Sequence, residues 1–298
     1  MFTLAHLSDP HLGPLPRPRL SELASKRIIG FLNWRRGRHL RHRLDVLNLV
    51  LDDIALAKPD HIAVTGDLVN IALTAEFAPA AAFLQGLGAP EHVSFVPGNH
   101  DVYVRASAHE HTTKFALYMG SDETDASAIK FPYIRRRGPI ALIGLSTAIP
   151  TAPFMSTGKL GAAQRTRLSM CLDALAGEKL FRVVLIHHPP FSRPSERFKR
   201  LTDARLFREI IGQHGAELIL HGHTHRRTLE WIATAQARVP VIGVPSASAT
   251  LAQSGDPAGY NLIHVSGAPE KWRCEWVARG ISEGVVPFVE VRREALIG

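Results

Sequence analysis

The sequence predicts an α/β protein in which two stacked sheets are flanked by helices, and two observations predict it. Up to about residue 225, short apolar runs alternate with segments whose apolar residues recur every three or four positions. Beyond that point come five strand-like runs separated by turn residues, with little helical periodicity. A mixed sheet is therefore expected first and antiparallel strands later. No linker rich in Gly, Ser or Pro and no internal repeat divides the 298 residues, so a single domain over 1–298 is expected.

The elements follow in order. Residues 2–7 form an apolar first strand. The next segment, 13–43, breaks the pattern. Between Lys26 and Arg43 it holds Lys26, Arg27, Arg35, Arg36, Arg38, Arg41 and Arg43 with no acid, interleaved with Ile28, Ile29, Phe31, Leu32 and Trp34. That is the composition of a basic amphipathic insertion. Leu44, Leu47, Leu51 and Ile54 then mark one face of a helix, and 61–65 is the second strand, which makes a βαβ beginning. A helix over 74–87 ends at Gly88 and Pro90, and the strand 93–96 stops at Pro97-Gly98. Further strands are expected at 140–145, 182–186 and 217–220, with helices at 162–175 and 203–213. The late strands are 228–233, 239–244, 260–265, 272–277 and 287–291.

Charge narrows the function classes. The formal net charge is +8, yet setting aside the seven basic residues between Lys26 and Arg43 leaves 28 basic against 27 acidic residues. The excess is local, which argues against a protein that coats nucleic acid and for one basic element. Aromatics are 7% of the chain, and only Phe31 and Trp34 interleave the basic run, so a stacking platform for single strands is weakly supported. An anionic lipid or membrane surface, or a polyanionic or lipid-linked ester, ranks above nucleic acid as the partner, with Arg135 to Arg137 extending the patch. The plainer alternative is a solvated helical hairpin whose apolar residues pack on the body. The first residues carry no basic leader and no apolar core, and only Cys171 and Cys274 are present, so a reducing cytoplasmic setting is expected, peripheral at the inner membrane face if the insertion binds lipid.

Sixteen histidines direct attention to metal chemistry, because several fall beside Asp, Asn or another His at strand ends. Five segments stand out: Asp9-Pro10-His11, Gly66-Asp67, Gly98-Asn99-His100-Asp101, His187-His188-Pro189-Pro190 and His221-Gly222-His223-Thr224-His225. The carboxyl ends of strands in an open α/β sheet face one crevice, where residues distant in sequence converge. On an extended chain Asp9 and His11 point the same way and can bind one cation together, as can His223 and His225. Glycines 66, 98 and 222 allow tight turns and close backbone approach. Imidazole with carboxylate or amide oxygen suits Mn, Fe or Zn better than Ca.

The ordered set resembles the calcineurin-like metallophosphoesterase superfamily, in its class III phosphodiesterase-like branch. Asp-x-His, Gly-Asp, Gly-Asn-His-Asp, His and Gly-His-x-His appear in that order across residues 9 to 225. The resemblance implies a four-layer α/β/β/α sandwich with two mixed sheets and a dinuclear centre at the strand C-terminal ends. Asp9, His11, Asp67 and His225 would hold one ion, and Asp67, Asn99, His187 and His223 the other, with Asp67 bridging two divalent or mixed-valence transition metals. A hydroxide held between them would attack a phosphodiester or pyrophosphate bond of a nucleotide or lipid-linked substrate.

His100 would face the leaving group as general acid, and Asp101 would orient its loop. His187 is favoured over His188, which would point to the opposite side of an extended strand. His221 either bonds substrate or ends a strand. Asn70 stands where many relatives carry an acid that pairs with the catalytic His, and His109 and His111 are assigned to the surface. The protein-phosphatase branch usually has an Arg soon after the bridging Asp, where this chain has Leu68-Val69-Asn70, and Arg105 does not settle its second Arg. A nuclease of the superfamily and a noncatalytic scaffold are the rival readings. The intact ligand set argues against the scaffold.

Overall fold

Strands buried on both faces should read as continuous apolar runs, and three of them do. Along β5 (Ile140–Gly144), β6 (Phe181–Leu185) and β7 (Leu218–His221), alternate side chains enter two different cores. Ile140, Leu142, Val183, Leu185, Leu218 and Leu220 join the larger core, whereas Ala141, Ile143, Val184 and Ile219 face a second one. The computed structural model describes all residues of 1–298 except 108, 123–128, 236, 251–255, 270 and 283–284.

The first sheet takes β1 (Phe2–Leu7), β2 (His61–Val64), β3 (Val93–Phe95), β10 (Gly259–Ser266), β11 (Arg273–Ser282) and β12 (Val285–Ile297), in the order β12-β11-β10-β1-β2-β3. The second takes β4 (Tyr133–Arg137), β5, β6, β7, β9 (Arg238–Gly243) and β8 (Thr228–Ala233), in the order β4-β5-β6-β7-β9-β8. Both sheets are therefore mixed, and the late antiparallel strands do not form a layer of their own. The free edge of β1 recruits β10 antiparallel, from Phe2 opposite Val265 to His6 opposite Asn261, while β9 extends the parallel run beside β7.

Two helices cover the first sheet. α2 (Leu44–Ala57) buries Leu47, Val50 and Ile54, and α3 (Thr74–Leu87) buries Phe77, Ala80 and Leu84 in the larger core. On the second sheet, α4 (Ala162–Gly177) contributes Leu168, Leu172 and Leu175, and α5 (Ala204–His214) contributes Phe207 and Ile211. The insertion carries the short helix α1 (Arg27–Asn33), with Trp34 buried directly after it. Both cysteines are free, and among the described residues no helix is long and apolar enough to cross a membrane.

Strand β4 was not expected, because its Arg135-Arg136-Arg137 reads as surface. These arginines are structural and do not extend a basic patch. The buried Arg135 guanidinium donates to the carbonyls of Pro90, Val93, Leu117 and Gly120, Arg136 pairs with Glu178 at 2.7 Å, and Arg137 pairs with Asp122 at 2.8 Å. His111 also departs from its surface assignment. It is buried, and burial pulls its pKa down to about 4, while His109 stays exposed and lies beside Thr112.

Candidate metal centre

Parallel strands in both sheets end on the same side, and a bridge between Ser8 and Ser246 joins the loop after β1 to the loop after β9. The loops after β1, β2, β3, β6 and β7 carry the expected ligands. The i, i+2 alternation of an extended chain is not what aligns them. Asp9, His11, Asp67, His223 and His225 all have φ between 40° and 68°, so five of the nine described non-glycine residues with positive φ are expected ligands. Left-handed backbone disfavours these side chains by sterics, and such strain persists where the surroundings impose it, most often at functional sites. Each loop coils at once, turning both members of a pair inward.

The resulting distances are short. Asp9 Oδ1 lies 3.1 Å from His225 Nε2, and His11 Nε2 is 3.3 Å from the same nitrogen. Asp67 reaches both ways, with Oδ2 at 3.9 Å from His11 Nε2 and 3.4 Å from His187 Nε2. His187 Nε2 also lies 3.2 Å from Asn99 Oδ1, while its Nδ1 donates to the Thr65 carbonyl at 2.6 Å. The His223 ring centroid is 5.1 Å from that of His187, its Nε2 donates to the Lys199 carbonyl, and its backbone N–H donates to Asp9 Oδ2. Close approach is bought by glycine. A Cβ at position 98 would collide with Asp67 Oδ1, and one at 222 with Ser8 Oγ and Asp9 Oδ2.

The donor set fits cations. Asp9, Asp67 and Asp101 are buried carboxylates in one neighbourhood, which is unfavourable without compensating positive charge. Four trios of ligand atoms, among them Asp9, Asp67 and His187, lie within 4.8 Å of one another. Burial raises the Asp9 carboxyl, but His225 and His187 outweigh it and hold it below the ordinary value. Burial likewise lowers His187, but Asp67 wins and lifts the imidazole to about 9. Strong coupling between buried carboxylate and imidazole is what a cation would replace.

Around this set the other expected residues take definite positions. The backbone N–H of His100 donates to Asp67 Oδ1 at 2.7 Å, and its ring Nδ1 contacts the Asn70 carbonyl. Asn70 thus meets His100 through its backbone, while its side-chain amide donates to the Leu12 carbonyl and its buried Oδ1 has no partner among the described residues. Asp101 accepts from the backbone N–H groups of Asp67, Leu68, Val69 and Gly98, gripping the β2 and β3 loops together. Burial and the Asp67 carboxylate push Asp101 up to about 7. His221 is buried beside Thr228 of β8, with Nε2 at 3.4 Å from its hydroxyl.

His188 does not point away. Its ring lies 4.3 Å from that of His223, because the chain has left the strand at 186 and turned. Both its nitrogens are engaged, with the Thr147 hydroxyl at 2.7 Å and the Ser156 carbonyl at 3.1 Å.

The insertion supplies what sequence reasoning missed. Arg27 is buried, donating to the carbonyls of Ile71 and Ala72, so it is no part of an outer patch. Arg38 turns inward as well: its Nη2 lies 3.1 Å from His11 Nε2 and 3.2 Å from His100 Nε2. Lys26 donates to Thr151 and sits 4.2 Å above the Tyr103 ring, and burial pulls it down to about 8. Arg35, Arg36, Arg41 and Arg43 remain exposed, with Arg43 paired to Asp45. His42, unmarked by any motif, is buried with its ring 4.5 Å from His11. Its only sequence signal was a histidine at the end of a basic run.

These groups open onto a cavity of about 720 Å³ whose rim includes Arg36, Arg41, Lys199 and Arg226. In sequence, residues 2–227 match the family described as calcineurin-like phosphoesterase. No curated protein matches the chain. Among solved structures, it resembles a dimetal phosphatase from Danio rerio at 11% identity, covering 99% of this chain and 98% of that one with a TM-score of 0.62. A purple acid phosphatase from yellow lupin seeds is similar at 12% identity, with 96% and 52% covered and a TM-score of 0.56. The NAD nucleotidase of Haemophilus influenzae aligns at 14% identity, with 99% and 50% covered and a TM-score of 0.50. The chain spans about half the length of these last two, and at such identities the likeness speaks for the fold.

Proposed function

The chain belongs to the calcineurin-like phosphoesterase family, and from that premise we propose a dinuclear metal-dependent hydrolase of phosphodiester or pyrophosphate bonds, acting on a nucleotide or lipid-linked ester. The observation that carries the reading is the meeting of seven nitrogen and oxygen ligands from five loops, with Asp67 between His11 and His187. Asp9, His11, Asp67 and His225 would hold one transition metal ion, and Asp67, Asn99, His187 and His223 the other. Such a pair supplies Lewis acidity for the ester and a hydroxide nucleophile at neutral pH.

The remaining steps belong to side chains. Arg38, facing both His11 and His100, offers its guanidinium to a phosphate oxygen entering from the cavity. His100 keeps its Nδ1 on the Asn70 carbonyl and turns Nε2 to the reacting space. Burial and Arg38 depress it to about 3, so the negative charge of a bound ester is needed before Nε2 holds the proton for the leaving oxygen. Asp101 keeps the two ligand loops in register through its four backbone bonds. Exposed Arg35, away from the cavity rim, lies in the same segment as exposed Ile28, Leu32 and Leu40, which supports an anionic membrane surface as partner.

Metal analysis of the purified protein, followed by turnover of monoesters, diesters, cyclic nucleotides and pyrophosphate-linked nucleotides, tests the reading. Two metals per chain and preference for diesters or pyrophosphates are expected. In His100→Ala, turnover of esters with poor leaving groups should drop by about 10²–10⁴, activated aryl esters should drop less, and metal content should hold. Full turnover after exhaustive chelation would sink the mechanism.

A further inference from the structure

The seven ligands of the family pattern leave one buried imidazole beside them unaccounted for. His42 lies in the insertion, outside every motif, yet one of its ring nitrogens falls within 4.8 Å of ligand nitrogens of His11 and His225. Its ring stands edge-on to both, with centroids 4.5 Å from His11 and 5.5 Å from His225. We propose that His42 is an additional ligand of the first metal ion, delivered to the centre by the insertion.

The ring is held as a metal-binding imidazole is held. Its Nδ1 lies 3.0 Å from Ser248 Oγ and 3.3 Å from Ser246 Oγ, and Ser246 Oγ itself donates to the backbone carbonyl of the ligand Asp9 at 2.7 Å. Because the Ser246 hydroxyl gives its proton to the Asp9 carbonyl, it can only accept from His42 Nδ1, which places the ring proton there and leaves Nε2 with a lone pair for a cation. The backbone is fixed too. His42 forms a bridge with Ala249, the Arg43 N–H donates to the Ser248 carbonyl, and the Thr250 N–H donates to the Arg41 carbonyl. These contacts tie the end of the insertion to the loop after β9, the same loop that Ser246 ties to β1.

His188 is the control within the molecule. It too lies in a trio of gathered histidines, with His187 and His223. Both of its nitrogens are occupied by protein groups, so it supports the site without binding. Of the His42 ring nitrogens, only Nδ1 is hydrogen-bonded among the described residues. Three imidazole nitrogens brought together in a buried space, with Asp9 beside His225, make a nitrogen-rich first site suited to Zn, Fe or Mn.

The inference rests on the two-metal reading, and the test separates the two. Wild type, His42→Ala and Ser248→Ala are loaded with Co(II) or Zn(II) under equilibrium dialysis, and the count of coordinated imidazoles is read by X-ray absorption. His42→Ala should lose about 10- to 100-fold in affinity at one site only, the size seen when a metal environment loses a supporting group. The imidazole count at that site should fall by one, and Ser248→Ala, which keeps the ring but frees it, should show a smaller loss in the same site. A wild type that binds no metal overturns the parent reading. A wild type with two metals and variants with unchanged affinity and imidazole count, all folded by circular dichroism, overturns the His42 assignment. A raised KM for a diester with unchanged metal parameters overturns it equally, and makes His42 a substrate contact.

Discussion

The strand-end loops and the insertion build the same site from opposite materials. The loops contribute buried carboxylates with imidazoles, and Asp67 lifts His187 to about 9. The insertion contributes Arg38 and His42, and there burial and the Arg38 charge depress His42 to about 2. One region is an anionic cradle for cations, and the other is a cationic wall facing it. Under the proposed function a phosphate ester between them would meet metal on one side and guanidinium on the other, which would make the insertion half of the site.

The largest effect should come from breaking the loop half. Asp67 Oδ2 lies 3.9 Å from His11 Nε2 and 3.4 Å from His187 Nε2, so Asp67→Ala should impair both metal sites and reduce kcat by at least roughly 10²–10³, the size of losing one preorganised electrostatic group. Asn99→Ala should weaken mainly the site that includes His187. Equal retention of both metals in Asp67→Ala would remove its bridging assignment.

A middle-sized effect concerns protons. Below about pH 9 the metal-free His187 carries a proton that a cation must displace, so affinity at that site should rise by up to about tenfold per pH unit between 7 and 9 and level off above. His42 is neutral throughout this range and adds no slope. Calorimetry in buffers of different ionisation enthalpy should count about one proton released by His187 at pH 7 and about a quarter of one at pH 9.5. No release at pH 7 would erase the electrostatic contrast between the two halves.

The smallest effect lies on the outer face of the insertion. Arg35 and Arg43 are exposed and stand apart from the cavity rim. At ~1 kcal/mol per basic residue near an anionic membrane, discounted for screening, Arg35→Gln with Arg43→Gln should weaken co-sedimentation with phosphatidylserine vesicles several-fold at low salt. Turnover of a small soluble diester should stay unchanged. No binding to anionic vesicles would leave this face as a solvated hairpin.

Much of the loop half was legible because metal ligands are short motifs at strand ends, and periodicity places strand ends. The helix over Thr74–Leu87 and the first strand matched their expected bounds, and the seven candidate ligand positions were named through the resemblance that the ordered motifs carry. The insertion was misread because composition counts charge without direction. Seven basic residues looked like one patch, yet Arg27 caps carbonyls at 71 and 72, Arg38 enters the centre, and only the outer residues meet solvent.

By itself the sequence determined the α/β class and, β4 apart, the order of the strands, which are properties of local pattern, and through its ordered motifs and the resemblance they carry it named the candidate ligands. Tertiary structure alone decided that β10 closes onto β1, that left-handed turns and not extended alternation aim Asp9, His11, His223 and His225, and that His42 joins them. The physical reason is range. Periodicity and residue type are encoded within a few positions, whereas the pairing of residue 42 with residues 246–249 depends on contacts more than two hundred residues apart, which no local pattern records.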